Sequence, residues 1–265
     1  LMLIEVELDS SSKLGVSYTG SYPGANIAVM SALEAMKIKA SIISGCGASE
    51  WGANHPEMTW MEMENYLNQE DYISNKGNLG SIGGGFDLGI QLNQQGREVC
   101  ETAIYSNNME LLHEKNPIEN VKKRMQYYYQ NNELGVADLF INVGGGIYTI
   151  GDSLKRNNLP VGIIYPGDIN LDINQTVLGR FLDKDIPAIN INHIERLMEW
   201  YELPYPPNNK NKIKMGILFY SQKKYNLKII LTAFIIAAGT VLFVGIVSHR
   251  EIKKRMHSSE PESIL

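Results

Sequence analysis

Leu14 to Ser44 reads LGVSYTGSYPGANIAVMSALEAMKIKASIIS. Leu14 to Tyr18 is short and mostly apolar, as a buried strand is, and turn-forming residues follow it as far as Asn26. From Ile27 to Lys37 the apolar positions recur at helical spacing, and Ala40 to Ser44 is a second short apolar run. Strand, loop, helix and strand in that order predict a βαβ unit with two parallel strands. The turn from Gly20 to Asn26 then lies at the carboxyl end of a strand, where open α/β sheets bind ligands.

The same grammar returns downstream. Asp138 to Val143 precedes Gly144, Gly145 and Gly146, Pro160 to Ile164 precedes YPGD, and Pro187 to Ile191 precedes a helix from His193. Helices are predicted at Thr59 to Leu67, Gln94 to Tyr105 and Ile118 to Glu133. Helices interleaved with strands throughout predict a three-layer α/β fold with a mostly parallel sheet and glycine-rich loops at the strand carboxyl ends. One continuous soluble domain accounts for residues 1–220. The chain opens inside an apolar stretch, Leu1 to Leu8, with acids interleaved, which we read as the continuation of upstream sequence.

A different pattern closes the chain. The 19 residues from Ile229 to Val247 carry no charge, and at 1.5 Å per residue they reach about 28 Å, close to the hydrocarbon thickness of a bilayer. This predicts a transmembrane helix at 229–247, behind a basic juxtamembrane linker at 221–228 and before a short polar tail at 248–265. Arg250, Lys253, Lys254 and Arg255 follow the helix, so the positive-inside rule favours a cytoplasmic tail and an external main domain. Lys210, Lys212 and Lys214 reduce that asymmetry.

A net charge of −5 leaves no excess of cations to neutralise nucleic-acid phosphates. Cys46 and Cys100 have neither CxxC nor finger spacing, which argues against zinc; they read as buried free thiols, with a single disulfide between them the alternative. No metal or cofactor is called for by the pattern.

Candidate chemistry gathers in four loops. In the first, Gly20 and Gly24 let the backbone turn and present amides to an anion, although Pro23 removes one donor and the segment is neither a dinucleotide fingerprint nor a Walker loop. Asn26 closes that loop, and Ser21 stands where a nucleophile elbow would put its serine, without the GxSxG surround. Its base would come from His55, His113 or His193. The second loop holds Ser49, Glu50, Trp51, Asn54, His55 and Glu57 after Ser44; it reads equally as a binding loop for a polar polymer or metabolite, with the indole as an apolar wall and Asn54 or Glu57 as orienting groups, and as a surface loop that caps the sheet. His55 and Glu57 make too few ligands for a metal site. GGGFD at 83–87 and NVGGG at 142–146, with Asn142, Gly144 and Gly145, imply close backbone approach or positive φ after a strand. The GDSL string at 151–154 matches a lipase motif but lacks the companion histidine-aspartate pattern, since HIER follows instead, and it reads as a chance helix start.

In order along the chain, GSYPGANIAV from Gly20, IISGCGASEWGANHPEMTWMEME from Ile42, INVGGG from Ile141 and IPAININHIERL from Ile186 resemble the poly-gamma-glutamate system protein family. The resemblance runs from about Val16 to Leu203, and the long second loop is its most specific piece. Where that family carries a more acidic stretch, this chain has GGGFDLG, with Asp87 the acid that remains. The resemblance implies a bacterial, membrane-associated accessory factor acting with the amide ligase and membrane subunits that make and export the polymer, its loops forming a polar cleft for a polar or anionic ligand. It carries no catalytic residues to transfer. Two alternatives stay open: a hydrolase or transferase acting on gamma-glutamyl bonds, with Ser21, His55 and Glu57 as its catalytic candidates, and a phosphate- or nucleotide-binding module built on Gly20 to Asn26.

Overall fold

The computed structural model describes residues 1–49, 52–130, 137–170, 172–203 and 227–257. The chain forms two units, Leu1–Pro206 and Pro207–Leu265. In the first, a short helix α1 (Met2–Glu5) precedes β1 (Lys13–Thr19), α2 (Pro23–Met36) and β2 (Lys39–Gly45). Strands β1 and β2 pair in parallel from Lys13–Lys39 to Thr19–Gly45, the βαβ unit read from the sequence. Helix α2 starts at Pro23, earlier than its apolar pattern suggests, because proline at the first helical position has its φ already set and its missing N–H costs nothing there.

Next come a small hairpin, β3 (Asn54–His55) and β4 (Met58–Thr59), then α3 (Trp60–Gln69), β5 (Leu79–Ser81), a 3-10 turn at Gly85–Asp87, α4 (Gln94–Ser106) and β6 (Glu110–Leu111). Thr59 and Glu62 form a reciprocal capping box at the start of α3, and the Asn93 side chain caps α4 through the Gly96 amide at 2.7 Å. Helix α5 (Pro117–Gln130) returns the chain to the other side of β1, where β7 (Leu139–Val143) pairs with it in parallel. The rest of this unit is α6 (Ile147–Ile150), α7 (Ser153–Asn158), β8 (Gly162–Ile164), α8 (Val177–Leu182), β9 (Ala188–Ile191) and α9 (Ile194–Trp200). Residues 131–133, assigned to a helix from the sequence, lie outside the described residues.

The sheet has seven strands in the order β6-β5-β2-β1-β7-β9-β8, all parallel except β8, which runs antiparallel to β9. The three-layer α/β architecture is as the sequence predicts. Each layer can be read from alternation along the strands. Leu14, Val16 and Tyr18 of β1 and Leu139, Ile141 and Val143 of β7 join Met30, Leu33, Trp60 and Ile104 from α2, α3 and α4 in one core. Phe140 and Ile43 point the other way and join Val121 and Tyr128 of α5, Tyr148 of α6 and Phe181 of α8 in a second.

The second core centres on aromatics. Phe140 and Phe181 stack with ring centroids 4.6 Å apart, and Tyr128 meets both edge-on at 5.6 and 5.7 Å. Gly15 makes room for them: a Cβ there would lie 3.1 Å from Tyr128 and 3.2 Å from Phe181. The Tyr128 hydroxyl donates to the Val16 carbonyl at 3.1 Å, which ties the cluster to β1.

In the second unit, α10 (Leu227–His257) contains the uncharged stretch and is, among the described residues, the one helix long and apolar enough to cross a membrane. It continues past Val247 through Arg250, Lys253, Lys254 and Arg255, so those cations belong to the helix rather than to an irregular tail. Residues 221–226 of the basic linker and 258–265 of the tail lie outside the described residues.

Phe181 is fully buried and contacts three aromatic partners. Phe181→Ala should therefore destabilise the α/β unit by about 3–5 kcal/mol, a loss that urea denaturation followed by tyrosine fluorescence will read.

Candidate functional site

Strands β1, β2, β5 and β7 are parallel neighbours, so the four glycine-rich loops leave the same edge of the sheet. Backbone bonds lace the first three loops together. Gly20 accepts from Ala53 N–H at 2.8 Å, Cys46 N–H donates to Ser81 at 2.9 Å, and Gly47 N–H donates to Ile82 at 2.7 Å. A Cβ on Gly20 would lie 2.2 Å from the Cys46 carbonyl oxygen, so no side chain fits there. Ser49 donates to Ser21 Oγ through both its amide (2.9 Å) and its hydroxyl (3.1 Å). Gly144, at φ +90°, closes the fourth loop against Thr19, whose Cγ2 would be 2.3 Å from a Cβ.

A crevice of about 50 Å³ opens between β1 and β7. This is the topological switch point, because the chain leaves β1 towards β2 on one side and comes back to β7 on the other. Its walls are Ser17, Asn142, Tyr148 and Thr149, with Asp87 and Arg124 among the groups that line it. Arg124 is 4% exposed. Its Nε donates to Asn120 Oδ1 at 2.9 Å, and its Nη2 to Asp87 Oδ2 in a close ion pair.

Among the described residues, Arg124 Nη1 and Asp87 Oδ1 have no hydrogen-bond partner, and neither does the buried Tyr148 hydroxyl. Burial pushes the Tyr148 phenol up, and the Asp87 charge adds to that while Arg124 opposes it. The phenol therefore stays neutral at ordinary pH and can donate. Asp87 and its neighbour Phe86 hold left-handed backbone, at φ 61° and 52°, which costs about 1–3 kcal/mol for a residue other than glycine. Asn142 is fixed through Nδ2, which donates to Gly144 O and Asn190 Oδ1, both at 2.8 Å. The arrangement presents a cationic donor, an anionic acceptor and neutral hydroxyls within one small recess. Such a set suits a carboxylate with an N–H beside it.

Not all the sequence candidates meet there. Asn142 lines the crevice and Gly144 packs next to it, whereas Gly145 sits under the Arg156 side chain. Gly24 is exposed at the start of α2, with nothing near enough to constrain it. Asn26 is buried and donates to Thr19 O at 2.8 Å, holding the first loop from below. Asn54 and His55 line a second cavity of about 250 Å³, together with Cys46, Thr59 and Cys100. Exposed Glu57 donates its amide to His55 Nδ1 at 3.2 Å. Trp51 and Glu50 lie outside the described residues.

No histidine hydrogen-bonds Ser21 among the described residues, and His113 and His193 are exposed. In the GDSL string, Asp152 caps α7 by accepting from Lys155 N–H at 3.0 Å, and Ser153 is exposed at the first helical position. No group of three or more metal-ligating side chains occurs among the described residues.

Sequence reading missed Arg124, Asn120, Tyr148, Thr149 and Ser17. One signal was present. Asn120, Val121, Arg124 and Tyr128 fall on one face of α5, and a charge on an apolar stripe needs a buried partner. Comparison with protein-family models, curated proteins and solved structures finds no match.

Ser44 serves a different group. Its Oγ donates to Glu64 Oε2 at 2.7 Å, and the Gly77 amide donates to Glu64 Oε1 at 2.8 Å. Burial pushes the Glu64 carboxyl up to about 7, although Ser44, Gly77 and the Lys76 charge pull it down. The folded chain thus holds a proton that the unfolded chain releases near 4.5. Stability from this group is complete below pH 4.5 and is lost as pH rises through about 7, a change of about 3 kcal/mol. Glu64→Gln should flatten that decline in urea titrations run between pH 4.5 and 8, while a slope equal to that of the parent chain would assign it to other groups.

Proposed function

We propose that this chain is a membrane-anchored accessory component of bacterial poly-gamma-glutamate synthesis or export, whose α/β unit takes a carboxylate-bearing ligand in the crevice between β1 and β7. The observation that carries this reading is buried Arg124, paired on one edge with Asp87 and without a partner at Nη1. A buried guanidinium with an open edge is a site for a carboxylate, since its N–H groups match the spacing of the carboxylate oxygens. Every residue of a gamma-linked glutamyl chain carries an α-carboxylate and an amide N–H on the same carbon. Arg124 and Tyr148 would receive the carboxylate and Asp87 the N–H.

Size agrees with this. A recess of about 50 Å³ holds the equivalent of a few waters, so it accepts one projecting group of a polymer rather than a whole nucleotide. Helix α10 supports an anchor in the membrane where such a polymer is assembled and exported, and the cations after Val247 support an external position for the α/β unit. The amide ligase and membrane subunits of the polymer system are the partners this reading implies. Ser21, with Ser49 as its side-chain partner, supplies the site with no activated nucleophile, so binding rather than hydrolysis is the activity proposed.

The test is calorimetric titration of the detergent-solubilised chain with gamma-glutamyl oligomers. Arg124→Lys keeps the charge but loses the planar fork, and it should weaken binding at least tenfold, equivalent to about 1.4 kcal/mol. Tyr148→Phe should weaken it less, since one neutral hydrogen bond is worth about 0.5–1.5 kcal/mol. Oligomers that fail to bind the parent chain, or that bind Arg124→Lys equally well, would refute the site. In the producing bacterium, a deletion strain that made and exported polymer of normal amount and length would refute the role.

A further inference from the structure

The second cavity has a floor that packing alone does not require. Cys46, which follows β2, and Cys100, on α4, are both free and buried within the same core. Both line the cavity of about 250 Å³, where each thiol perturbs the ionisation of the other. The rim is polar and open: Asn54, His55, Asn93 and Gln95 line it and are exposed. A lone buried cysteine fills space and stays inert. Two neighbouring thiols that line one cavity with a solvent-facing rim are a reactive arrangement.

We propose that Cys46 and Cys100 form a redox pair that closes to an intramolecular disulfide when a small disulfide oxidant enters the cavity. The Cys100 thiolate attacks one sulfur of the oxidant, breaking its S–S bond, releasing one thiolate and forming a mixed disulfide. Cys46, losing its proton, then attacks the Cys100 sulfur and releases the second thiolate. Two cysteines are oxidised, the oxidant takes up two electrons, and the two protons leave with its two thiols.

Local chemistry supports that order of attack. The neighbouring Cys46 pulls the Cys100 thiol down, although burial and the charges of Glu62 and Glu101 oppose it. Cys46 is pushed up, first by Cys100 and then by burial, with Thr59 opposing. Cys100 is also the less buried of the two, 5% exposed against 1% for Cys46, so Cys100 is the attacking sulfur and Cys46 the resolving one. The bond would fasten α4 to the segment where Gly47 N–H meets Ile82, at the root of the loop that carries Asp87.

The experiment uses the full chain in detergent, incubated folded with oxidised glutathione, quenched in acid, denatured, counted for thiols and digested for mass mapping. Both thiols should disappear together, with a Cys46–Cys100 cross-linked peptide and complete reversal by dithiothreitol. The urea-unfolded chain should form the link more slowly, and Cys46→Ser should keep glutathione on Cys100 as a stable mixed disulfide. Two thiols that remain titratable in the folded chain would overturn the proposal. So would glutathione adducts without the cross-link, or a cross-link that forms only after unfolding.

Discussion

Strand β1 is the constraint on which the α/β unit depends. It hydrogen-bonds β2 on one edge and β7 on the other, and helices cover both of its faces. A parallel strand in that position buries its central residues, Leu14 to Tyr18, so they must suit two cores at once. Leu14, Val16 and Tyr18 serve one core, while on the opposite face Gly15 yields space to Tyr128 and Phe181. The chain leaves β1 towards β2 and returns to β7 only after α5, and the connections diverge at that point. The crevice follows from the topology.

Placing a charge pair in that crevice is costly. Desolvating two ions takes several kcal/mol each, and their attraction offsets this only with good geometry and further hydrogen bonds. Arg124 gains such a bond from Asn120, yet among the described residues Nη1 bonds no protein group, and Asp87 holds left-handed backbone. Beside the pair, the Tyr148 hydroxyl is buried without a hydrogen-bond partner among the described residues. The buried proton on Glu64 is a separate matter, because Ser44 and Gly77 satisfy both of its oxygens within the first core.

The loops around these groups are held by backbone rather than by side chains. Bonds from Ala53 to Gly20, from Cys46 to Ser81 and from Gly47 to Ile82 join three loops into one edge. Glycine at position 20 is what lets the chains approach so closely. The thiol cavity and the switch-point crevice thus flank a common, rigid backbone layer. The uncharged stretch of α10 from Ile229 to Val247 is governed by different physics, in which every backbone bond is internal and nearly all side chains are apolar.

The sequence by itself determined the elements whose signals are local. Helical spacing after Gly20, short apolar runs at Leu14, Ala40 and Leu139, and the uncharged stretch from Ile229 to Val247 each depend on neighbours in the chain, so they were legible. Strands β5 and β6 were not, because three and two residues carry too little pattern and exist only by pairing along an edge already formed. Which glycine loops meet, and which candidates stay apart, was likewise beyond reach: Ser44 turned to Glu64, Asn26 to Thr19, and only Asn142 entered the crevice with its neighbour Gly144 packed alongside. Arg124 and Asp87 are 37 residues apart, and nothing local pairs them. Tertiary structure alone decided that site, because a buried charge finds its partner through the topology of the sheet and not through spacing along the chain.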